Sequence, residues 1–242
     1  MPFAPVLHSE LLKIRTLRSL YGSLAALLAV ATVFAALAGT SDTAEPGFDP
    51  LVAVFLGVAP AQIAVIAFGT MAVSSEFQGG GGLRQALTAV PRRGRWFAAK
   101  ALAVALPALT VGLLTGALSA AVGTAALGGA GDGISAAQLT RGVIACGVYL
   151  TLMALLATGL TALLRSGVAT LSILVPFVLI VSFVIGDAAG GAIDYLPDRA
   201  GQLAFQQHPD SSLGPWTGLA VTAVWTAAAL AAGAWSVRRR DA

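Results

Sequence analysis

Long apolar runs separated by short polar stretches dominate the chain. Six runs of membrane length contain no Asp, Glu, Lys or Arg: Ser19–Ser41, Pro50–Ser75, Ala101–Gly131, Gly142–Leu164, Ser166–Gly186 and Ser211–Val237. Roughly 20 apolar residues cross a ~30 Å hydrocarbon core as a helix, and an isolated span must be helical to satisfy its backbone. The pattern therefore predicts an all-α integral membrane fold with six transmembrane helices. We place them at about residues 20–40, 51–74, 100–127, 139–164, 167–186 and 214–236.

Composition supports this reading and leaves no room for a soluble domain. Of the 242 residues, 57% are hydrophobic and 10% are charged, whereas soluble domains carry about 25% charged residues. We therefore interpret residues 1–242 as a single transmembrane domain.

The basic residues indicate the orientation. If the six helices alternate in direction, 12 of the 14 Lys and Arg residues fall on one side. By the positive-inside rule, both termini and the loop around residues 76–95 are then cytoplasmic. Eight acids fall on the other side. The net charge of +3 follows from topology and indicates no nucleic-acid partner.

The residues before the first span have a pattern of their own. Apolar residues at helical spacing form one stripe: Leu7, Leu11, Ile14 and Leu17. Charged residues occupy other faces: Glu10, Lys13, Arg15 and Arg18. This pattern predicts an amphipathic helix at residues 3–19 that lies in the headgroup layer, in contact with membrane lipid. The alternative is an ordinary positive anchor that only sets topology.

Several features concern how the spans pack. The third run is 31 residues long, so tilt or an interfacial extension must absorb the excess, and Lys100 is expected to snorkel to the headgroups. Pro60, Pro107 and Pro176 invite kinks. Small residues recur four apart on the third and sixth spans and allow close helix contact, although chance spacing is a competing explanation. These residues are Gly112, Gly116, Ala120, Gly218, Thr222 and Thr226.

The external segment 187–210 has two possible interpretations. Its apolar residues include Ile193, Leu196, Leu203 and Phe205, which would allow it to fold back as short helices against the outer mouth. A solvated loop is the alternative.

No catalytic or metal-binding chemistry is apparent. Gln62 and scattered Ser and Thr are the polar groups at depth, so the ionisable residues of ion-coupled pumps are missing. The single cysteine, Cys146, lies inside the fourth span without metal-ligand spacing around it. His8 and His208 are predicted on opposite sides of the membrane, so they cannot share a metal site. Any energy for transport must therefore come from another protein.

The segment Ser74–Arg95 is a polar island between two uncharged runs. After Gly79–Gly82, four apolar residues repeat at i, i+3, i+4 and i+7: Leu83, Ala86, Leu87 and Val90. This spacing predicts a short helix with one apolar face, ended by Pro91 and followed by clustered arginines. Two turns are too short to be stable alone, so the helix needs a surface to dock on. Glu76 is expected to pair with Arg84 or to lie near the positive end of this helix.

Three segments of the chain resemble the permease subunits of ABC-2 type transporters, in the small six-helix form common in high-GC bacteria. They are Ser9–Ser19, Ser75–Lys100 with Ser75-Glu76-Phe77 and Leu87-Thr88-Ala89-Val90-Pro91-Arg92-Arg93, and, more weakly, Leu196–Gln202. The second is the most specific, because apolar composition alone would not produce it. The four glycines depart from the single glycine, followed by Thr or Ser, that is usual in the family.

The resemblance implies a role for each part. The loop between helices 2 and 3 would be a coupling helix that docks on a separate ATPase subunit. Its contact candidates are Glu76, Phe77, Leu83, Arg84, Leu87, Arg92 and Arg93, and Glu10, Lys13, Arg15 and Arg18 belong to the family's connecting helix. Two permeases, identical or paralogous, and two ATPases would form an exporter. ATP and Mg would bind in the partner ATPase, and this chain would be non-catalytic.

The uncharged interior favours an amphiphilic cargo such as a drug, lipid or antimicrobial peptide. A membrane channel without a motor, or a sensory or immunity protein, is the alternative function.

Overall fold

The structure is a computed structural model that describes residues 3–43, 47–77, 93–181, 190–209 and 211–239. These residues form helices and connecting turns and contain no strand. The α-helices are α1 (Phe3–Thr16), α2 (Arg18–Ala36), α3 (Pro50–Val54), α4 (Val58–Ser74), α5 (Arg93–Leu127), α6 (Ala136–Leu164), α7 (Gly167–Pro176), α8 (Pro197–Gln202) and α9 (Pro215–Arg239). Short 3-10 turns follow α2, α5 and α8, and another one precedes α8. A π-helical segment, Phe177–Val181, follows α7.

Four helical stretches of the described chain are long and apolar enough to cross a membrane. They are Arg18–Thr40, Arg93–Gly131, Ala136–Leu164 and Pro215–Arg239, and two shorter apolar helices are Val58–Ser74 and Gly167–Ile180. Their outward faces are apolar as well. Val33, Leu114 and Val224 expose 59%, 57% and 69% of their surface, whereas a surface helix of a soluble protein turns polar residues outward. The fold is thus all-α and suited to a membrane.

The second apolar run is divided close to Pro60, where the sequence predicts a kink. α3 ends at Val54 and α4 begins at Val58. Pro60 has no N–H to donate to the carbonyl four residues earlier, at Leu56, and its ring crowds that carbonyl. At the same point the backbone of Gly57 approaches Ala31 so closely that an added Cβ would lie 2.4 Å from the Ala31 carbonyl oxygen. Proline therefore separates the two helices, and glycine lets the turn pack on α2.

The third apolar run forms a single helix, α5, of 35 residues. It begins at Arg93, earlier than the start near residue 100 expected from hydropathy, and continues through Pro107. At 1.5 Å per residue its length is about 52 Å, well beyond a ~30 Å hydrocarbon core. The extra turns include Arg93, so part of the predicted loop continues the helix.

α6 is the central helix, and glycines allow its neighbours to approach. Gly112 of α5 lies against Gly147, Gly69 of α4 lies against Ala154, and Gly159 lies against Ala229 of α9. The expected close contact at the small-residue face of α5 is confirmed, because a Cβ at Gly112 would lie 3.0 Å from the Gly147 Cα.

The small-residue face of α9 is confirmed too. Gly218 lies against the backbone of Ala200. The Thr222 hydroxyl donates to the Pro197 carbonyl at 2.7 Å, and the Thr226 hydroxyl donates to the Leu152 carbonyl at 3.1 Å. Both threonines therefore tie α9 to neighbouring segments through hydrogen bonds to backbone carbonyls.

Residues 190–209 fold back on the helices, as the first interpretation of the external segment expects. α8 packs against α9, and the Trp225 indole donates to the Tyr195 carbonyl at 2.9 Å. Arg141 of α6 donates to the Gln206 carbonyl at 2.6 Å, and the Gln207 backbone N–H donates to the Asp49 carboxylate at 2.7 Å. This part of the segment is therefore not a solvated loop.

We predict that Gly159→Ala destabilises the protein and that Gly22→Ala does not. A Cβ at Gly159 would lie 2.5 Å from the Ala229 carbonyl carbon, whereas one at Gly22 would meet no atom within 4 Å. Overpacking costs about 1–3 kcal/mol, while alanine in an open helix position gains up to about 1 kcal/mol over glycine. Thermal unfolding in detergent should show a lower midpoint for Gly159→Ala alone. Equal midpoints would contradict the close α6–α9 contact.

Candidate functional site

Basic side chains from distant parts of the chain meet at one end of the helix assembly. Lys13 and Lys100 share the Glu76 carboxylate, Arg165 lies over the Phe77 ring at 5.8 Å, and Arg93 donates to the Val237 carbonyl at 3.3 Å. We call this region the basic end. Phe77 and Arg93, the described residues on either side of the segment 78–92, both lie at this end.

Four charged residues form an ion-pair cluster here: Glu10, Lys13, Glu76 and Lys100. The Lys13 ammonium lies 3.0 Å from Glu10 and 2.9 Å from Glu76. The Lys100 ammonium contacts the second oxygen of Glu10 and lies 2.9 Å from Glu76. Each cation therefore bridges both anions, and the cluster has no net charge.

Three members of the ion-pair cluster are removed from water. Glu10, Glu76 and Lys100 expose 4%, 8% and 3% of their surface, whereas the Lys13 side chain exposes 43%. A buried charge is costly unless it is paired and hydrogen-bonded, and here both carboxylates and the Lys100 ammonium have such partners. The Trp96 ring adds a cation–π contact, 5.9 Å from the Lys100 nitrogen.

The cluster joins three elements that are far apart in sequence. Glu10 and Lys13 come from α1, Glu76 follows the last turn of α4, and Lys100 lies on α5. The two ends of the segment 78–92 are thus fixed to each other and to the N-terminal helix.

The ion-pair cluster shifts the pKa values of Glu76 and Lys13. Burial raises the pKa of Glu76, but the charges and hydrogen bonds of Lys100 and Lys13 outweigh it, so the pKa falls below its ordinary 4.5. Burial lowers the pKa of Lys13, but hydrogen bonds and charge from Glu76 and Glu10 outweigh it, so the pKa rises above its ordinary 10.5. The pairing therefore keeps both groups charged at neutral pH.

A second, apolar group supports the ends of the segment 78–92. Its buried members come from α4, α5, α6 and α9: Val73, Trp96, Phe97, Ala162 and Val237. Phe77, which is partly buried, packs against this apolar group.

The predicted site residues fall into two groups. Glu76, Phe77 and Arg93 all lie at the basic end, while Leu83, Arg84, Leu87 and Arg92 lie outside the described residues, as do Gly79–Gly82 and the predicted coupling helix. Glu76 pairs with Lys13 and Lys100, and its expected pairing with Arg84 also lies outside the described residues.

The predicted N-terminal helix is present as α1, which ends at Thr16, one residue before Leu17 interrupts the helix and Arg18 begins α2. Its stripe packs partly on the protein, because Ile14 is buried while Leu17 stays 44% exposed. Glu10 and Lys13 enter the ion-pair cluster, while Arg15 and Arg18 remain exposed.

One expectation about Lys100 is wrong. Its ammonium does not snorkel to the headgroups but is buried between two carboxylates. Residue patterns singled out Glu76 but missed Glu10 as its counterpart. The signal was present, because Glu10 is an acid in a segment whose other charged residues, Lys13, Arg15 and Arg18, are basic.

The polar group at depth is also satisfied within the protein. Gln62, which is 2% exposed, accepts a hydrogen bond from the Tyr149 hydroxyl, and Gln202 approaches the same hydroxyl at 3.5 Å. This arrangement links α4 and α6 to α8. Among the described residues, no three His, Cys, Asp or Glu side chains meet as a metal site.

Comparison with protein-family models and with curated proteins gives no match. The class of protein is therefore defined by the fold alone: an all-α protein whose long apolar helices are suited to a membrane, with an ion-pair cluster at one end.

We predict that Lys100→Met lowers the free energy of unfolding by about 3–5 kcal/mol, because it leaves buried carboxylates without their shared cation. The matched variant Lys13→Met should cost about 0–1 kcal/mol, since the Lys13 side chain is 43% exposed and water screens its charge. Chemical denaturation in detergent compares the two. The double variant Glu10→Gln/Lys100→Met should be less destabilised than Lys100→Met alone. Equal losses for Lys13→Met and Lys100→Met would contradict the assignment of Lys100 as the buried centre.

The pH dependence of stability should follow the shifted groups. Because the pKa of Glu76 lies below 4.5, its pairing stabilises the fold above that value, and this contribution is lost as the pH falls through the lowered pKa. Because the pKa of Lys13 lies above 10.5, its contribution is present below that value and is lost as the pH rises through the raised pKa. Thermal midpoints of the wild type and Glu76→Gln should differ at neutral pH and converge in acid. A constant difference down to the most acidic pH would argue against the ion pairing.

Proposed function

We propose that this chain is the transmembrane, or permease, subunit of an ATP-driven exporter and works with a separate ATPase subunit. The observation that carries the proposal is the ion-pair cluster, which ties α1, the end of α4 and α5 together on either side of the segment 78–92. A segment that receives force from a partner must be firmly attached to the helices that move. The cluster supplies such an attachment.

The attachment is suited to transmitting movement. Glu76 and Phe77 precede the segment, and Arg93 follows it at the first residue of α5. A protein is strongly destabilised when one partner of a buried ion pair is removed, because the other charge is left without compensation. Separating α4 from α5 at this point would break the buried pair of Glu76 and Lys100 and would therefore be costly. A displacement of residues 83–90 by a docked ATPase would therefore move α1, α4 and α5 together.

The interior also argues for an external source of energy. Ion-coupled transporters place ionisable groups within their spans. In this chain two of the described polar contacts at depth are hydrogen bonds between uncharged groups: Tyr149 to Gln62, and Thr158 to the Gly69 carbonyl at 3.2 Å. ATP hydrolysis by the partner, with bound Mg, would supply the energy that this chain does not.

The remaining parts of the proposal concern topology and assembly. Six spans result if α3 with α4 forms the second and α7 with the following residues forms the fifth. The basic end would face the cytoplasm of a bacterial cell, with both termini on that side. Two permease copies, identical or paralogous, would then enclose a path for an amphiphilic cargo between them.

We predict that the double variant Leu83→Glu/Leu87→Glu abolishes co-purification with an ATPase chain encoded beside this one. The two leucines belong to the apolar face predicted for residues 83–90, and a charge placed in a docked apolar contact is costly. The matched control is Gln85→Glu/Thr88→Glu, which adds the same charge to the opposite face of the same helix. Co-purification from native membranes and the ATPase rate of the complex are the readouts.

The control should retain both readouts. If both double variants co-purify normally, the docking role of this segment is wrong. If the chain in liposomes passes ions without any ATPase, the channel alternative replaces the exporter.

A further inference from the structure

A groove of about 370 Å³ lies between α1 and α5, on the side of α1 that the ion-pair cluster does not use. It is lined by residues of α1, including His8, Leu12 and Arg15, and by Leu106, Pro107 and Thr110 of α5. We call it the α1–α5 groove. We propose that it binds an anionic phospholipid, with the phosphate at Arg15 and His8 and an acyl chain along α5. This proposal does not depend on the exporter function.

The charge of the groove follows from the two faces of α1. His8 lies two residues before Glu10, and Arg15 lies two residues after Lys13. A separation of two residues corresponds to about 200° around a helix. Glu10 and Lys13 therefore meet inside the protein, while His8 and Arg15 are placed on the opposite face. Both are exposed, and neither makes an ion pair with another described residue. The cation of Arg15 is thus available to an external anion.

The α5 wall of the groove is apolar and uncovered. Leu106 exposes 41% of its surface, and Leu12 across from it exposes 46%. The hydroxyl of Thr110 donates to the Leu106 and Pro107 carbonyls at 3.1 and 3.0 Å, so it needs no partner from a ligand. An apolar chain can therefore lie here without leaving a polar group unpaired.

The depth of the groove matches one leaflet of a bilayer. Lys100 shares the Glu76 carboxylate with the 43% exposed Lys13, so its level marks the polar edge of this end although the ammonium is itself buried. Leu106 and Thr110 follow Lys100 by six and ten residues on the same helix, which places them about 9 and 15 Å further along its axis. Half of a ~30 Å hydrocarbon core is about 15 Å. A cation above an apolar wall of this depth has the shape and charge of a phospholipid site, and basic pockets between helices are known to bind anionic head groups.

The test uses the full chain in nanodiscs of equal parts phosphatidylglycerol and phosphatidylcholine, with retained lipids counted by native mass spectrometry. The wild type should retain phosphatidylglycerol in preference. Arg15→Gln should weaken this retention about fivefold, the ratio that corresponds to about 1 kcal/mol for one cation near an anionic surface. Arg18→Gln, which removes an equal charge outside the groove lining, should change it less than twofold.

A second pair of variants tests the wall. Leu106→Trp should fill the groove and reduce retention, whereas Leu114→Trp, on an exposed part of the same helix outside the lining, should not. Equal retention of the two lipids, or equal loss in Arg15→Gln and Arg18→Gln, would overturn the proposal.

Two further measurements distinguish a bound phospholipid from a free anion and from a second copy of the chain. Inorganic phosphate should not raise the thermal midpoint, and protection by phosphate equal to that by phosphatidylglycerol would mean a free-anion site instead. Leu12→Cys should not form a disulfide between copies, because the groove would hold lipid. Efficient cross-linking would assign the groove to a second copy of the chain.

Discussion

The Lys100 ammonium, held between the carboxylates of Glu10 and Glu76, is the contact on which the basic end of the structure depends. Charges buried in an apolar protein must be compensated where they lie. Each of these three groups therefore fixes the position of the others, and with them the helices that carry them. α1 is held against α5 by charge as well as by packing, so the N-terminal helix belongs to the fold and is not an appendage of the first span.

Polar contacts hold both ends of the assembly. At the basic end, side-chain ion pairs join α1, the end of α4 and α5. At the opposite end, Arg141 and Asp49 bind the backbone of Gln206 and Gln207. Between them, α6 packs through glycine on neighbouring helices, where there is no hydrophobic driving force between spans and close van der Waals contact must replace it.

The two faces of α1 separate two roles. One face, with Glu10 and Lys13, is consumed by internal ion pairs and supports the attachment of the segment 78–92. The other, with His8 and Arg15, faces outward over an apolar wall. Under the proposed function, a partner ATPase that moves α1 would also move the α1–α5 groove and any lipid bound in it.

Much of the fold followed from the sequence by itself. Charge-free runs of sufficient length determined that the chain is helical and apolar outside, and small residues four apart located the close contacts of α5 and α9, because these properties depend on local composition and helical period. Tertiary structure alone decided that Lys100 is buried rather than snorkelled and that Glu10 joins Glu76. Those outcomes depend on which helices become neighbours, and a pattern within one helix carries no information about the charge or backbone that another helix brings to it.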